Sequence, residues 1–188
     1  EVGYVNVDLL PHTALCARCV QRPAAFDSAW AAFKFDGAIR HSVLALKYRA
    51  HFLQGHMLGE LLTSILLRRA QPLPQLILPV PLHPRRLRLR GYNQALELAR
   101  VMTLRTGIRV DSRCALRVKN TEDQIGKTAA QRRNNVKGAF QVRHRLDGLH
   151  IALLDDVMTT GATLNELARV SRKAGAARIE AWAVARAV

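Results

Sequence analysis

Apolar positions along this chain change their spacing several times, and each change marks an element. Met57, Leu58, Leu61, Leu62, Ile65 and Leu66 recur at helical intervals, which predicts a helix over 56–70 that Pro72 stops. The next run, 75–80 (QLILPV), is short and apolar and ends in Pro79 and Pro81, a buried strand opening into a loop. Asn93 is placed to cap a helix running through Thr106, with Leu98, Met102 and Arg105 along it and Gly107 closing it. Ile151–Leu154 is apolar at every position, as expected of a parallel strand covered on both faces. A helix over 163–174, capped by Gly175, and a strand over 178–185 complete the pattern.

The remaining segments are less regular. The first twenty-five residues read as loop, and 29–35 and 39–48 are short apolar stretches separated by the turn signal Asp36-Gly37. Residues 115–143 are polar and basic, with no strong period before the strand-like Gly138–Val142, and Asp147-Gly148 makes a turn. The strand–helix–strand unit at the end sets the class: α/β, with a mostly parallel sheet flanked by helices.

Composition narrows the function. With 188 residues, 49% of them hydrophobic, the chain has material for one domain's core, so wholesale disorder is not expected. No apolar run approaches the roughly 18 residues of a membrane span, and Asn6 and Asp8 interrupt the hydrophobics where a secretory signal would lie. Three cysteines, with Cys114 isolated, make no disulfide framework, so a cytoplasmic setting is expected. Cys114 itself reads as a small core residue, because no partner base is identifiable. The net charge is +15, carried by 23 Arg against 6 Lys. Guanidinium forks match phosphate in two-point geometry, so clustered arginines fit phosphorylated ligands, nucleic acid or an anionic membrane face. Biased codon usage is the plainer source of so much arginine.

The most informative segment is 151–163, where a buried strand leads into the adjacent carboxylates Asp155 and Asp156 and then a short loop before a helix. Amides at a helix N-terminus lack intrahelical partners and lie at the positive end of the dipole, a ready phosphate cup. Gly161 allows close approach of the backbone, and Thr159, Thr160 and Thr163 add hydroxyl donors. Two carboxylates beside such a cup make sense when the ligand also carries a diol, as a ribose does. The plainer alternative, helix caps and turn threonines, leaves the coincidence of acidic pair and phosphate loop unexplained. The Walker ending of glycine, lysine and serine or threonine is missing.

The run LLDDVMTTGAT (153–163) resembles the phosphoribosyl pyrophosphate signature of type I phosphoribosyltransferases. More narrowly, the chain is similar to the ComF family, whose relatives include GntX, proteins tied to natural competence in bacteria. The likeness covers most of the chain: it includes LPVPLHPRRLRLRGYNQALELAR (78–100), LKY (46–48), and Thr121, Gln124, Arg132, Arg133, Asn134 and Gly138-Ala-Phe. The resemblance implies a type I phosphoribosyltransferase-like domain over 29–188, with 1–28 as a linker and the remnant of an N-terminal zinc ribbon. It implies that Asp155 and Asp156 hold the ribose hydroxyls. Thr159, Thr160, Gly161, Ala162 and Thr163 would wrap the 5-phosphate, with Val157 and Met158 leading into them. Pro81, Leu82 and His83 would face the pyrophosphate, with Lys47, Arg85 and Arg86 nearby, and 119–137 would form a flap over the ligand. Magnesium is the implied metal, bridging pyrophosphate and diol, and the implied reaction is displacement of pyrophosphate by a nitrogen nucleophile.

Two segments stay open. If Arg85–Gly91 is extended, Arg86, Arg88 and Arg90 share one face while Leu87 and Leu89 share the other, a basic stripe backed by core. With Tyr92 and Tyr48 nearby, that stripe could track single-stranded nucleic acid; otherwise its arginines serve pyrophosphate or solvated helix ends. Cys16 and Cys19 make half of a zinc site, with His12 too irregularly spaced to help, so zinc is expected only if a further cysteine pair is present upstream. Two functions are therefore in view: phosphoribosyl transfer, or a non-catalytic protein of DNA uptake that keeps the site as a sensor. The second would handle single-stranded DNA beside a competence helicase or recombination mediator, with peripheral association at the inner membrane face.

Overall fold

The computed structural model describes residues 23–121 and 128–187. Cys16, Cys19, the zinc-ribbon reading and Gln124 lie outside them. In chain order the elements are β1 (Ser28–Lys34), α1 (Gly37–Arg49), α2 (Phe52–Leu67), β2 (Leu76–Pro79), α3 (Pro84–Arg90) and α4 (Gln94–Thr106). There follow β3 (Arg109–Val110), β4 (Ala115–Arg117), α5 (Ala129–Val136), β5 (Phe140–Val142), β6 (His150–Met158), α6 (Ala162–Lys173) and β7 (Arg178–Arg186). Five strands form one sheet in the order β1-β7-β6-β2-β3, with every neighbouring pair parallel. β4 and β5 form a separate antiparallel pair. The α/β class with a mostly parallel sheet is the one the sequence implies. Among the described residues no helix is long and apolar enough to cross a membrane.

Both sheet faces are covered, which is why β6 reads as continuously apolar: Ile151 through Leu154 have no exposed surface. On one face α1, α2 and α4 bury Leu46, Leu58, Leu62, Leu98 and Met102 against Leu154 and Trp182. On the other, Leu164 and Leu167 of α6, with Cys114 and Phe140, cover Leu153 and Ile179. Each fully buried side chain of this kind contributes about 1.5–3 kcal/mol by leaving water. The helical layer is tight: a Cβ at Gly59 would lie 2.7 Å from Val101 Cβ, so α2 and α4 meet only because glycine stands there.

Three boundaries differ from expectation. The α2 helix begins at Phe52, because Ala50 turns left-handed and ends α1, and the exposed Phe52 and Leu53 hide the early period. Strand β6 runs on through Asp155 and Asp156 to Met158, since β7 pairs with it out to Arg186. The largest correction is α3: Pro84–Arg90 is helical, not extended. Pro84 occupies the first helical position, His83 Nδ1 accepts the Arg85 N–H at 3.3 Å, and Gly91 at φ 83° closes the helix. Leu87 is exposed and Leu89 is 90% exposed, so no core backs the basic stripe.

Candidate ligand-binding site

The C-terminal ends of β2 and β6 open into one cleft of about 370 Å3, where open parallel sheets bind their ligands. The loop after β2 is pinned there: the Val80 N–H donates to Leu154 O at 2.8 Å, and Asn93 Nδ2 donates to Val80 O at 3.0 Å. Asn93 also caps α4 by accepting the Ala95 N–H, so one side chain fixes both loop and helix. From β6 the chain reaches Gly161, whose φ of 72° is the left-handed conformation that glycine adopts without strain. A Cβ there would meet nothing, so the loop is open on the side where α6 begins.

Asp156 is 2% exposed, and Lys47 from α1 reaches it, Nζ to Oδ2 3.1 Å. Asp155 Oδ1 accepts the Asp156 N–H, and Asp156 Oδ1 accepts that of Val157. Burial, then the neighbouring Asp156 charge, push the Asp155 carboxyl up to about 8. Burial opposes ionisation of Asp156 as well. The Lys47 charge and hydrogen bonds from Asp155, Lys47 and Val157 outweigh it and hold this carboxyl below its ordinary range. Attraction to Asp156 in turn raises Lys47 against its burial. At neutral pH the pair therefore carries one proton and one negative charge.

Around the pair the cleft is cationic. Arg40, Lys47, Arg86, Arg90, Arg117 and Arg132 all line it. Arg86 and Arg90, one helical turn apart on α3, both reach the cleft, whereas Arg88 does not. Arg86 donates to Thr121 O at 3.3 Å, and Arg90 donates to Gln94 Oε1 at 2.5 Å. Arg117 bonds the Thr121 hydroxyl. Arg132 comes from α5, whose start is fixed by a capping box between Thr128 and Gln131. The cleft thus sets two adjacent carboxyls beside six cationic side chains, of which Lys47 is already paired with Asp156.

Comparison with known proteins decides the family. No family model matches the chain. It is 33% identical over 175 residues to DNA utilization protein YhgH of Salmonella typhi, spanning 91% of this chain and 77% of that protein. It is 32% identical over 193 residues to competence protein F of Haemophilus influenzae, spanning 98% and 84%. The chain belongs to the ComF family. Solved structures are more distant. Glutamine phosphoribosylpyrophosphate amidotransferase from B. subtilis matches at TM-score 0.47 and 17% identity, over 69% of this chain and 26% of that one. Purine phosphoribosyltransferase from Pyrococcus horikoshii matches at 0.38 and 17%, over 79% and 82%.

Of the residues singled out from this ComF-family sequence, Lys47, Leu82, Arg86, Asp155, Asp156, Val157, Thr159 and Thr163 line the cleft. Pro81, Met158 and Ala162 are buried, while His83 caps α3 and the Thr160 hydroxyl accepts the Ala162 N–H at 3.4 Å. Arg85 lies in a second groove of about 720 Å3 that shares Lys47, Tyr48, Arg86 and Arg90 with the first. Tyr92 also borders that groove, but its hydroxyl bonds Leu46 O and its ring packs on Phe52 at 4.9 Å. Arg88 lines neither. Cys114 sits in the core, and burial followed by Asp111 raises its thiol to about 11, far from a nucleophilic thiolate. Sequence reasoning missed Arg40, Gln94 and Arg117 altogether. Arg40 was legible: it shares the spacing Arg40, Val43, Leu44, Lys47, one face of a helix, had 39–48 been read as one.

Proposed function

We propose that the cleft binds phosphoribosyl pyrophosphate with magnesium, and that the protein serves DNA uptake in the cytoplasm, in line with relatives named for competence and DNA utilization. The observation that carries this reading is the half-neutralised pair Asp155 and Asp156, which flows directly into the Thr159–Thr163 loop at the head of α6. The paired carboxylates suit magnesium as hard oxygen donors: Lys47 is paired with Asp156, and a divalent cation would replace the proton that Asp155 keeps. Bound there with the ligand, magnesium would neutralise the pyrophosphate leaving group. Asp155 and Asp156 accept hydrogen bonds from the ribose hydroxyls, and the α6 amides with Thr159 and Thr163 hold the 5-phosphate. Arg86, Arg117 and Arg132 meet the pyrophosphate side, and the expected flap over 119–137, of which 122–127 lie outside the described residues, would exclude water from the electron-poor ribosyl carbon. In the transfer reaction the bond from that carbon to pyrophosphate oxygen breaks as a bond to a nitrogen nucleophile forms, and the nitrogen loses its proton to solvent.

Calorimetry with phosphoribosyl pyrophosphate and magnesium tests binding. Asp155→Asn with Asp156→Asn should weaken it by about 1.5–3 kcal/mol for each charge-assisted hydrogen bond removed, and an unchanged affinity sinks the assignment. Pyrophosphate release with amines or bases, against none, separates turnover from sensing.

A second reading has its own support. The adjoining groove carries Arg49, Arg85, Arg86 and Arg90 with Tyr48 and Tyr92, a basic channel with aromatic rings suited to single-stranded DNA. Arg49→Gln with Arg85→Gln should flatten the salt dependence of DNA binding by about 0.7 for each phosphate no longer neutralised, and Arg88→Gln should leave it unchanged. Equal slopes in all three proteins remove this reading.

A further inference from the structure

Outside the residues that line the cleft, three side chains of different chemistry converge at the end of the β4–β5 pair where β4 begins and β5 stops. Asp111 follows β3, Cys114 leads into β4, and His144 follows β5. A carboxylate oxygen of Asp111, the Cys114 Sγ and a ring nitrogen of His144 all lie within 4.8 Å of one another. The backbone holds them there. Asp111 Oδ1 accepts the N–H groups of Arg113 and Cys114, each at 2.8 Å, which leaves Oδ2 facing His144 Nε2 at 3.1 Å. The Arg143 N–H donates to Cys114 O at 2.8 Å, one step beyond the Ala115–Val142 pair, and so sets His144 beside the cysteine.

Thiolate, imidazole and carboxylate are the donors zinc accepts when three protein ligands leave a fourth position open. Zinc–nitrogen and zinc–sulfur bonds of about 2.0–2.3 Å put tetrahedral ligands about 3.3–3.8 Å apart, so a shift of about 1 Å closes the shell. His144 is exposed at the surface and can supply that shift. We propose that Asp111, Cys114 and His144 bind one zinc-class divalent cation. Coordination displaces the Cys114 proton to solvent. The ion would clamp the exit of β3 to the root of the β4–β5 pair, from which Arg117 and the chain bearing Arg132 reach the cleft.

The test is a cobalt(II) titration of the full chain carrying Cys16→Ser and Cys19→Ser, so that Cys114 is its only cysteine. A sulfur-to-cobalt charge-transfer band should saturate at one equivalent and vanish on adding zinc. Zinc should also raise Tm in the same protein. Cys114 is buried, and replacing it risks the fold, so the surface ligands carry the decision. His144→Ala and Asp111→Asn should each weaken cobalt binding by at least the roughly tenfold to hundredfold that loss of an outer-shell partner costs a metal site. Absence of the band, or a band of unchanged affinity in His144→Ala, overturns the site.

Discussion

Two buried acidic centres lie toward opposite ends of the same pair of strands, β6 and β7. Glu180, near the start of β7, is 1% exposed and pairs in register with Ala152; Asp155 pairs with Ala183, three residues further along. Around Glu180 the fold supplies every partner. Arg69 and Arg178 approach at 3.3 Å each, His150 Nε2 donates at 3.0 Å, and the Trp182 indole donates at 2.9 Å. Arg69 also lies over the Trp30 ring, 4.8 Å from its centre, so its position is fixed twice. At the other end two carboxylates share one ion pair, with Lys47, and one of them keeps its proton up to about 8. Burial is comparable; compensation is not. A buried charge whose partners come from the fold fastens the fold. A buried acid pair that keeps a proton because only one of its carboxyls has a cationic partner, beside a cationic cleft, is a candidate place for a ligand.

The largest expected effect breaks the fastened end. Glu180→Ala leaves two arginines, a histidine and an indole N–H without their shared acceptor. It should lower unfolding free energy by about 3–5 kcal/mol in urea denaturation. Where the variant remains folded, its affinity for phosphoribosyl pyrophosphate should match that of the parent. A stability loss below about 1 kcal/mol would erase the contrast between the two ends. Next in size is Lys47→Met, which removes the ion-pair partner of Asp156. Removing this charge-assisted hydrogen bond should cost about 1.5–3 kcal/mol, less than the Glu180 variant, because the carboxylate pair can take up a proton in response. Equal losses in the two variants would mean that the functional end is fastened as firmly as the structural one.

The two ends also differed in how readily they could be read from sequence. The site end announces itself locally: apolar strand, Asp155-Asp156, threonines and Gly161 are contiguous, so one window holds strand, acid pair and phosphate loop. Glu180 sits in an apolar strand; Arg178 and Trp182 flank it two residues away, but Arg69 and His150 come from distant segments, so the local window shows only half of its partners. The same limit hid Arg117, which the fold alone carries to the cleft, whereas Arg40 stays hidden only if 39–48 is not read as a helix. The α3 segment shows the reverse failure. Alternating Arg and Leu satisfied a strand period, yet capping by His83, Pro84 and Gly91 decided the outcome, and on a seven-residue exposed helix no buried face exists to set the period. Helix limits at Asn93 and Gly107 were legible because caps act through adjacent backbone.

The substitution with the smallest expected effect on stability at neutral pH, Asp155→Asn, is the sharpest test of the contrast. Asp155 titrates near 8 in the folded protein against an ordinary 3.8, so between those values the folded state holds a proton that the unfolded chain has released. The unfolded state then binds fewer protons, and unfolding free energy falls as pH rises from about 4 to about 8. Asp27, Asp156 and Glu166 are held below their ordinary values, so their opposite contribution, gained as pH rises, is complete near pH 5 and leaves the upper window to Asp155. Asp155→Asn removes both the repulsion and the titration. At pH 7 its stability should match or exceed that of the parent, and between about pH 5.5 and 8 its denaturation midpoint should stay level where the parent's declines. On the proposed reading, in which Asp155 accepts from the ribose diol, ligand binding should nevertheless be weakened. A parent slope that survives unchanged in Asp155→Asn would show that the titrating charge lies elsewhere, and the acid pair would then be as fully compensated by the fold as Glu180.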